Sequence, residues 1–111
     1  SPLASLQELR GLDISLNQIT DLSPLGGLKH LRQLDLTSTP VSDLSPLVTL
    51  KQLCELYIAG TRIQSLVLLT RDNFPRLKLL IVGTAYSQEQ LTALHAQLPD
   101  CHINIEDAHV L

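Results

Sequence analysis

Apolar residues recur along the chain at two alternating spacings. Leu12 and Ile14 are two residues apart, the period that places side chains on one face of a strand. Ile19, Leu22 and Leu25 follow at the spacing of a helical turn. The whole pattern returns after 22 residues and once more after another 22. Each unit therefore predicts a strand, a turn and a short helical return.

The fourth unit is longer than the first three. Leu77, Leu80 and Val82 repeat the apolar pattern at an offset of 24 from the third unit, so "TRDN" holds a two-residue insertion. An offset of 23 would move Arg76 into a position that Leu occupies elsewhere, and a one-residue error would exchange the two faces of the strand. We predict the offset of 24. We expect the insertion to lengthen the return. The alternative is a protruding loop on the convex side.

Two shorter motifs indicate helix starts. In "DLSPL", Ser23 and Ser45 are predicted N-caps, and the proline after each suits the first helical position. "SQEQLTALHAQLP" predicts an α-helix with Ser87 as N-cap and Gln90 completing a capping box. The spacing of "LPDCHI" after it predicts a fifth strand, and "EDAHVL" is expected to close that end as a tail.

The repeated pattern "LxxLxxLxLxxNxIxDLxPL" resembles the leucine-rich repeat family in its short 22-residue, internalin-like form, across essentially the whole chain. The resemblance implies an α/β solenoid with about five parallel strands on the concave face, short 3₁₀ or helical returns and one C-terminal α-helix. Asn17 stands at the consensus Asn, whose side chain in such repeats bonds neighbouring backbone in the turn. Thr39 and Thr61 replace it in the next two units. A bacterial origin is a further expectation from the resemblance.

The chain starts inside a repeat, because "SPLASL" matches the later returns "SPLGGL" and "SPLVTL". Solenoid ends need a polar cap over their last apolar layer. We expect residues 1–111 to form a single domain that is the C-terminal part of a longer array, with 87–111 supplying the helix, last strand and tail. The alternative is that a partner or second copy covers Leu3, Leu6 and Leu9.

Composition narrows the classes of partner. Hydrophobic residues make up 44% of the 111 positions, and the formal net charge is −3. This balance does not supply the basic surface that a nucleic acid requires. No apolar run approaches the roughly 18 residues of a spanning helix, so we expect no membrane insertion. The first residues lack the pattern of a signal peptide, which leaves a cytoplasmic or a bacterial secreted or surface location open.

Alternate side chains of stacked parallel strands form columns on a concave face, the usual recognition surface of solenoids. The predicted columns are Gly11, Gln33, Glu55 and Leu79; Asp13, Asp35, Tyr57 and Ile81, with His102 next; and Ser15, Thr37, Ala59 and Gly83. The face is therefore expected to run from acidic to apolar.

The acidic end has several interpretations. Asp13 beside Asp35, with Glu55 diagonal to them, would attract a basic partner or a divalent cation, because adjacent like charges repel. The alternative is that Arg10 and Arg32, in the flanking column, balance these carboxylates or that solvent does. We expect the balanced arrangement, with a basic partner as the next choice.

The apolar end is the sharper candidate for a partner site. Tyr57, Leu79 and Ile81 form an aromatic and aliphatic cluster of the kind that marks interaction surfaces. The alternative is that the C-terminal tail with Val110 and Leu111 folds over it. Leu16 replaces small or polar residues of the next units and either extends an apolar edge or packs in its turn.

No catalytic constellation emerges from the sequence. The four histidines have no short metal-ligand spacing with Cys, Asp or Glu, and "GGLK" lacks the ending of a phosphate loop. Cys54 and Cys101 lie two strands apart, about 9.6 Å by strand stacking, so they are predicted to be free thiols. We expect no enzyme activity, no metal and no cofactor.

Three functions fit these expectations. The leading hypothesis is a non-catalytic module that presents its concave sheet to a protein partner. One alternative is the targeting or substrate-recognition part of a larger enzyme or bacterial effector. Another is a structural element that self-associates through its uncapped N-terminal edge.

Overall fold

The computed structural model describes residues 10–84 and 86–106 of the chain. One sheet contains five parallel strands in sequential order, β1 Gly11–Asp13, β2 Gln33–Asp35, β3 Glu55–Tyr57, β4 Leu79–Val82 and β5 His102–Ile105. The returns contain the 3₁₀ helices Ser23–Gly27 and Ser45–Thr49, and the α-helix α1, Gln88–Gln97, precedes β5. This architecture confirms the predicted solenoid. The predicted N-terminal apolar layer and the tail residues Val110 and Leu111 lie outside the described residues.

The strands stack in the predicted register as far as β4. Leu12 pairs with Leu34, and Leu34 pairs with Leu56, so the 22-residue period becomes a column of buried leucines. Leu56 pairs with Leu80, which confirms the offset of 24. Leu34, Leu56 and Leu80 are 0% exposed. Each fully buried leucine stabilises the fold by roughly 1.5–3 kcal/mol relative to an exposed one.

The fifth strand differs from the expected alignment by two residues. Ile103, and not Cys101, pairs with Leu80. Cys101 is buried before the strand begins, where α1 and its C-cap enter the core. Because side chains alternate with a period of two, this shift leaves His102 on the same face. His102 therefore pairs with Leu79 in the first concave column.

Neither predicted serine is the N-cap of its 3₁₀ helix, because Leu22 and Leu44 hold that position, and the Asp before each of them bonds the first helical N–H. Ser23 is itself the first helical residue, and its backbone N–H donates to Oδ1 of Asp21 over 2.9 Å, while its hydroxyl donates to the same oxygen over 2.6 Å. Asp43 accepts from the N–H of Ser45 in the same way. An Asp side chain commonly accepts a hydrogen bond from the backbone N–H two residues later, and this is the bond that both Asp residues form here.

The insertion forms a longer return that is bonded into the solenoid wall. Asn73 donates through Nδ2 to the carbonyl of Leu68, and Thr70 accepts the backbone N–H of Phe74, each over 2.9 Å. Lys51 donates to the carbonyl of Asp72 over 3.1 Å. Phe74 is 1% exposed and belongs to the core, at the repeat position that Leu50 holds one unit earlier.

The helix α1 replaces the fourth short return. The predicted capping box is confirmed, because Ser87 Oγ accepts from Gln90 N and Gln90 Oε1 accepts from Ser87 N, over 3.2 and 3.0 Å. Gln90 also donates to the carbonyl of Gln64 over 2.9 Å, which ties the helix to the third return. Leu94 and Leu98 are buried against the core. Among the described helices, none combines the length and apolar character of a membrane span.

Each of the first three strands leads into a turn with one residue in the left-handed region. The equivalent residues Leu16, Ser38 and Gly60 have φ values of 61°, 60° and 73°. Glycine adopts this conformation without steric cost, whereas for other residues it costs roughly 1–2 kcal/mol. Leu16 is 74% exposed, so it forms an apolar edge and does not pack within its turn.

We expect Leu16→Gly to raise the free energy of unfolding by about 0.5–1 kcal/mol, because relief of the left-handed strain exceeds the added entropy of the unfolded chain. Leu16→Ala removes the same exposed side chain but keeps the strain and is the control. Urea unfolding measures both variants. Equal stability of the two would show that the turn is not strained.

Candidate functional site

The concave face presents two full columns of side chains. The first column contains Gly11, Gln33, Glu55, Leu79 and His102, and the second contains Asp13, Asp35, Tyr57, Ile81 and Asn104. Every residue predicted for the first column is there, with His102 added to it. Asn104, which the sequence analysis did not single out, takes the place predicted for His102.

The acidic end is held by short local hydrogen bonds. Oδ1 of Asp13 accepts from the backbone N–H and the hydroxyl of Ser15, over 3.0 and 2.6 Å. Oδ1 of Asp35 accepts from the same two groups of Thr37, over 2.9 and 2.6 Å. The side-chain and backbone bonds from Ser15 lower the pKa of Asp13. The motif D-x-S/T at the ends of β1 and β2 is the sequence signal for these bonds.

Arg10 and Arg32 do not balance these carboxylates. Within the described chain, the one ion pair joins Arg71 to Asp100, with 3.3 Å between Nη2 and Oδ2. Arg10 precedes Asp13 by three residues of nearly extended chain, which separates their backbones by about 10 Å. The described His, Cys, Asp and Glu residues also form no group of three or more that would ligate a metal.

Glu55 links the two columns at the centre of the face. Its Oε1 accepts from the Tyr57 hydroxyl and its Oε2 accepts from Gln33 Nε2, both over 2.7 Å. These two bonds lower the pKa of Glu55. The bond to Glu55 raises the pKa of Tyr57 to about 12, with burial and the charges of Glu55, Asp35 and Glu106 adding to the effect. The Tyr57 ring is thereby fixed in orientation above the sheet.

The apolar end offers less surface than expected. Ile81 is only 4% exposed, so the predicted exposed aliphatic surface at this residue is absent. Ile81 lies between Tyr57 and Asn104 in its column, where it supports Tyr57 and is not open to a partner. Leu79 is half-buried, and His102 beside it is exposed. Tyr57 and Leu79 are therefore the partly accessible apolar groups of the predicted cluster.

A groove opens over the first two strands. Its volume is about 290 Å³, and its lining includes Gly11, Asp13, Gln33, Asp35 and Tyr57. Gly11 has no side chain, and a Cβ at this position would lie 3.4 Å from Oε1 of Gln33. The missing side chain leaves room at the acidic end, next to the fixed Tyr57 ring.

The turn residues bond the backbone at equivalent places. Asn17 donates through Nδ2 to the carbonyls of Ile14 and Ser15 over 2.9 and 3.0 Å. Thr39 and Thr61 donate through Oγ1 to the carbonyls three residues earlier, over 2.7 and 2.8 Å. Thr39 is 1% exposed, so its bond satisfies a buried polar group. These bonds hold the strand ends that carry the concave columns.

We expect Tyr57 to ionise at about pH 12, above the usual value of 10.0. Because the folded pKa is raised, the Tyr57 contribution to stability is complete below pH 10 and is lost as the pH rises through about 12. Tyrosinate absorbance of the parent minus that of Tyr57→Phe isolates this group from Tyr86. A midpoint at the usual value would mean that the bond to Glu55 is not formed.

Comparisons with known proteins come from sequence and structure. Residues 7–49 match the family model described as leucine rich repeats in two copies. No curated protein sequence matches the chain. Two similar solved structures are internalins of Listeria monocytogenes, with both matches extending over nearly all of this chain.

The internalin InlF is 25% identical over 97% of this chain, with a TM-score of 0.71. Internalin C2 is 29% identical over 95% of this chain, with a TM-score of 0.69. The chain spans 33% of the first internalin and 45% of the second. It is thus similar to a part of each of these longer proteins.

Proposed function

Because the chain belongs to the internalin-like leucine-rich repeat family, we propose that it is a non-catalytic module whose concave sheet binds a protein partner. The observation that carries the proposal is the Gln33–Glu55–Tyr57 network beside the groove. These side chains are fixed before a partner arrives, so little side-chain entropy is lost on binding. Tyrosine is enriched among the residues that dominate interface energies.

The two ends of the face suit different groups of one partner. Oδ1 of Asp13 and of Asp35 is occupied by Ser15 and Thr37, while Oδ2 of each accepts no hydrogen bond from the described residues. A hydrogen-bond donor of the partner, such as a lysine or arginine, fits the groove between these carboxylates. An apolar group of the partner fits against Tyr57.

The remaining predicted residues surround this centre. Leu79 extends the apolar contact, while Gln33, Thr37 and the exposed His102 supply polar atoms at its border. Such borders exclude water from the central contact and contribute less energy themselves. We therefore assign the partner site to both columns and expect Tyr57 to contribute most.

The chemistry of the carboxylates also favours binding over catalysis. An effective general base has a pKa near the working pH. The bonds from Ser15 move the pKa of Asp13 in the opposite direction, below its usual value of 3.8. The hydroxyls of Ser15 and Thr37 are committed to these carboxylates, and this arrangement stabilises a charge without moving a proton.

The proposal is tested by placing a photo-crosslinking amino acid at His102, on the concave face, or at Val67, which is 76% exposed on a return. Both proteins are irradiated in an extract of the source cells. We expect a discrete protein adduct from His102, and at least a several-fold lower yield when Tyr57→Ser is added. The substitution removes the aromatic contact without entering the buried column.

Val67 is the matched control because it is exposed and apolar but lies away from the sheet. An adduct formed equally or more strongly from Val67 would assign binding to the returns. An adduct from His102 that does not depend on Tyr57 would remove Tyr57 from the site. Thermal unfolding of each variant establishes that the folded fraction is equal.

A further inference from the structure

A row of basic residues lies where the strands begin: Arg10, Arg32 and Lys78 stand immediately before β1, β2 and β4, whereas Cys54 and Cys101 precede β3 and β5. The backbone ladder continues through this row, because Arg32 N donates to Arg10 O, Cys54 N to Arg32 O and Lys78 N to Cys54 O, each over 2.7 Å. Arg10 and Arg32 are therefore neighbours at about 4.8 Å between backbones, with Lys78 two strands farther on. All three side chains are exposed.

Among the described residues, the carboxylate of Glu55 at the start of β3 does not neutralise this row. Glu55 directly follows Cys54, but both of its carboxylate oxygens accept bonds from the concave residues Gln33 and Tyr57. In the part of the chain that the structure describes, Arg10, Arg32 and Lys78 have neither an ion-pair nor a side-chain hydrogen-bond partner. Like charges on adjacent strands destabilise a sheet, and nothing described here offsets that cost.

Other basic residues widen the row into a basic edge. Lys29 and His30 are exposed in the turn that leads to Arg32. Lys51 and Arg76 lie in the equivalent turns, where Lys51 bonds the insertion and Arg76 donates to Gln52 over 2.7 Å. The edge thus concentrates positive charge in a chain whose formal net charge is −3.

We propose that this basic edge, Arg10, Lys29, His30, Arg32 and Lys78, binds a short acidic segment of a protein. Guanidinium groups form paired hydrogen bonds with carboxylates, and Arg10 and Arg32 are backbone neighbours here. An extended segment presents same-side carboxylates about 6.6 Å apart, a spacing that the flexible Arg and Lys side chains can match.

The size of the edge favours this occupant over a long polyanion. Binding to a nucleic acid or a similar polymer gains its energy from many neutralised charges, typically about 6–10 contacts. The edge offers fewer free cations and belongs to a chain of net negative charge, which repels a long polyanion. A short acidic segment contacts the edge without passing over the carboxylates of Asp13 and Asp35. The site is separate from the concave columns.

The test measures fluorescence anisotropy of a labelled oligoglutamate peptide with the whole chain at low and moderate salt. We expect binding that weakens with salt, because the pairs are exposed. The double substitution Arg32→Gln with Lys78→Gln should weaken binding roughly fivefold, the scale of two exposed charge pairs. The double substitution Arg62→Gln with Arg71→Gln changes the net charge equally at other places and should leave affinity within about twofold.

Each opposite result overturns the proposal. Absence of peptide binding by the parent would exclude an acidic-segment site. Equal weakening by the two double variants would mean that net charge, and not the basic edge, attracts the peptide. A heparin-derived oligosaccharide and phosphatidylserine vesicles serve as competing ligands. If either binds more tightly than the peptide, and the Arg32→Gln, Lys78→Gln variant loses that binding, the edge is a site for a polyanion or a membrane. Thermal unfolding checks that all variants are equally folded.

Discussion

The parallel backbone ladder in constant register is the constraint on which the structure depends. Each strand has only three or four residues and would not be stable alone. Stacking places Leu34 against Leu56 and Leu56 against Leu80, so every repeat completes the burial of its neighbour. The same ladder aligns the outward residues, and the concave columns are therefore a consequence of core packing.

Short polar side chains maintain the register where the ladder ends. Asn17, or the equivalent threonine, donates to a backbone carbonyl three residues earlier. Asp13 and Asp35 accept the backbone N–H two residues later. These bonds serve the fold and the surface together. A carboxylate that is held by its own turn has a fixed orientation on the concave face.

Charge is separated across the sheet as a result. The carboxylates lie along the middle of the concave face, while Arg10, Arg32 and Lys78 lie at the edge where the strands begin. A repeated sequence produces this separation automatically, because an amino acid retained at one position of each repeat becomes a stripe. The two proposed sites use opposite charges of the same repeated unit, and each can be changed without the other.

The sequence by itself determined the repeat, the positions of the first four strands, the α1 capping box and the register of β4. These features follow from local spacing, and the penalty for burying Arg76 was enough to choose between two registers. The concave columns of the first four strands followed from the same period. Sequence spacing alone misplaced His102, because the register of β5 depends on how α1 and Cys101 enter the core.

Only the tertiary structure decided which side chains are accessible and which charges are paired. Ile81 is in the predicted column, yet it is buried there, and exposure depends on neighbours from other strands. The repeat places Glu55 in the first concave column, but only the structure shows that its carboxylate bonds Tyr57 and Gln33. Periodicity specifies the face of a residue, whereas its burial and partners arise from side chains that meet only after the repeats stack.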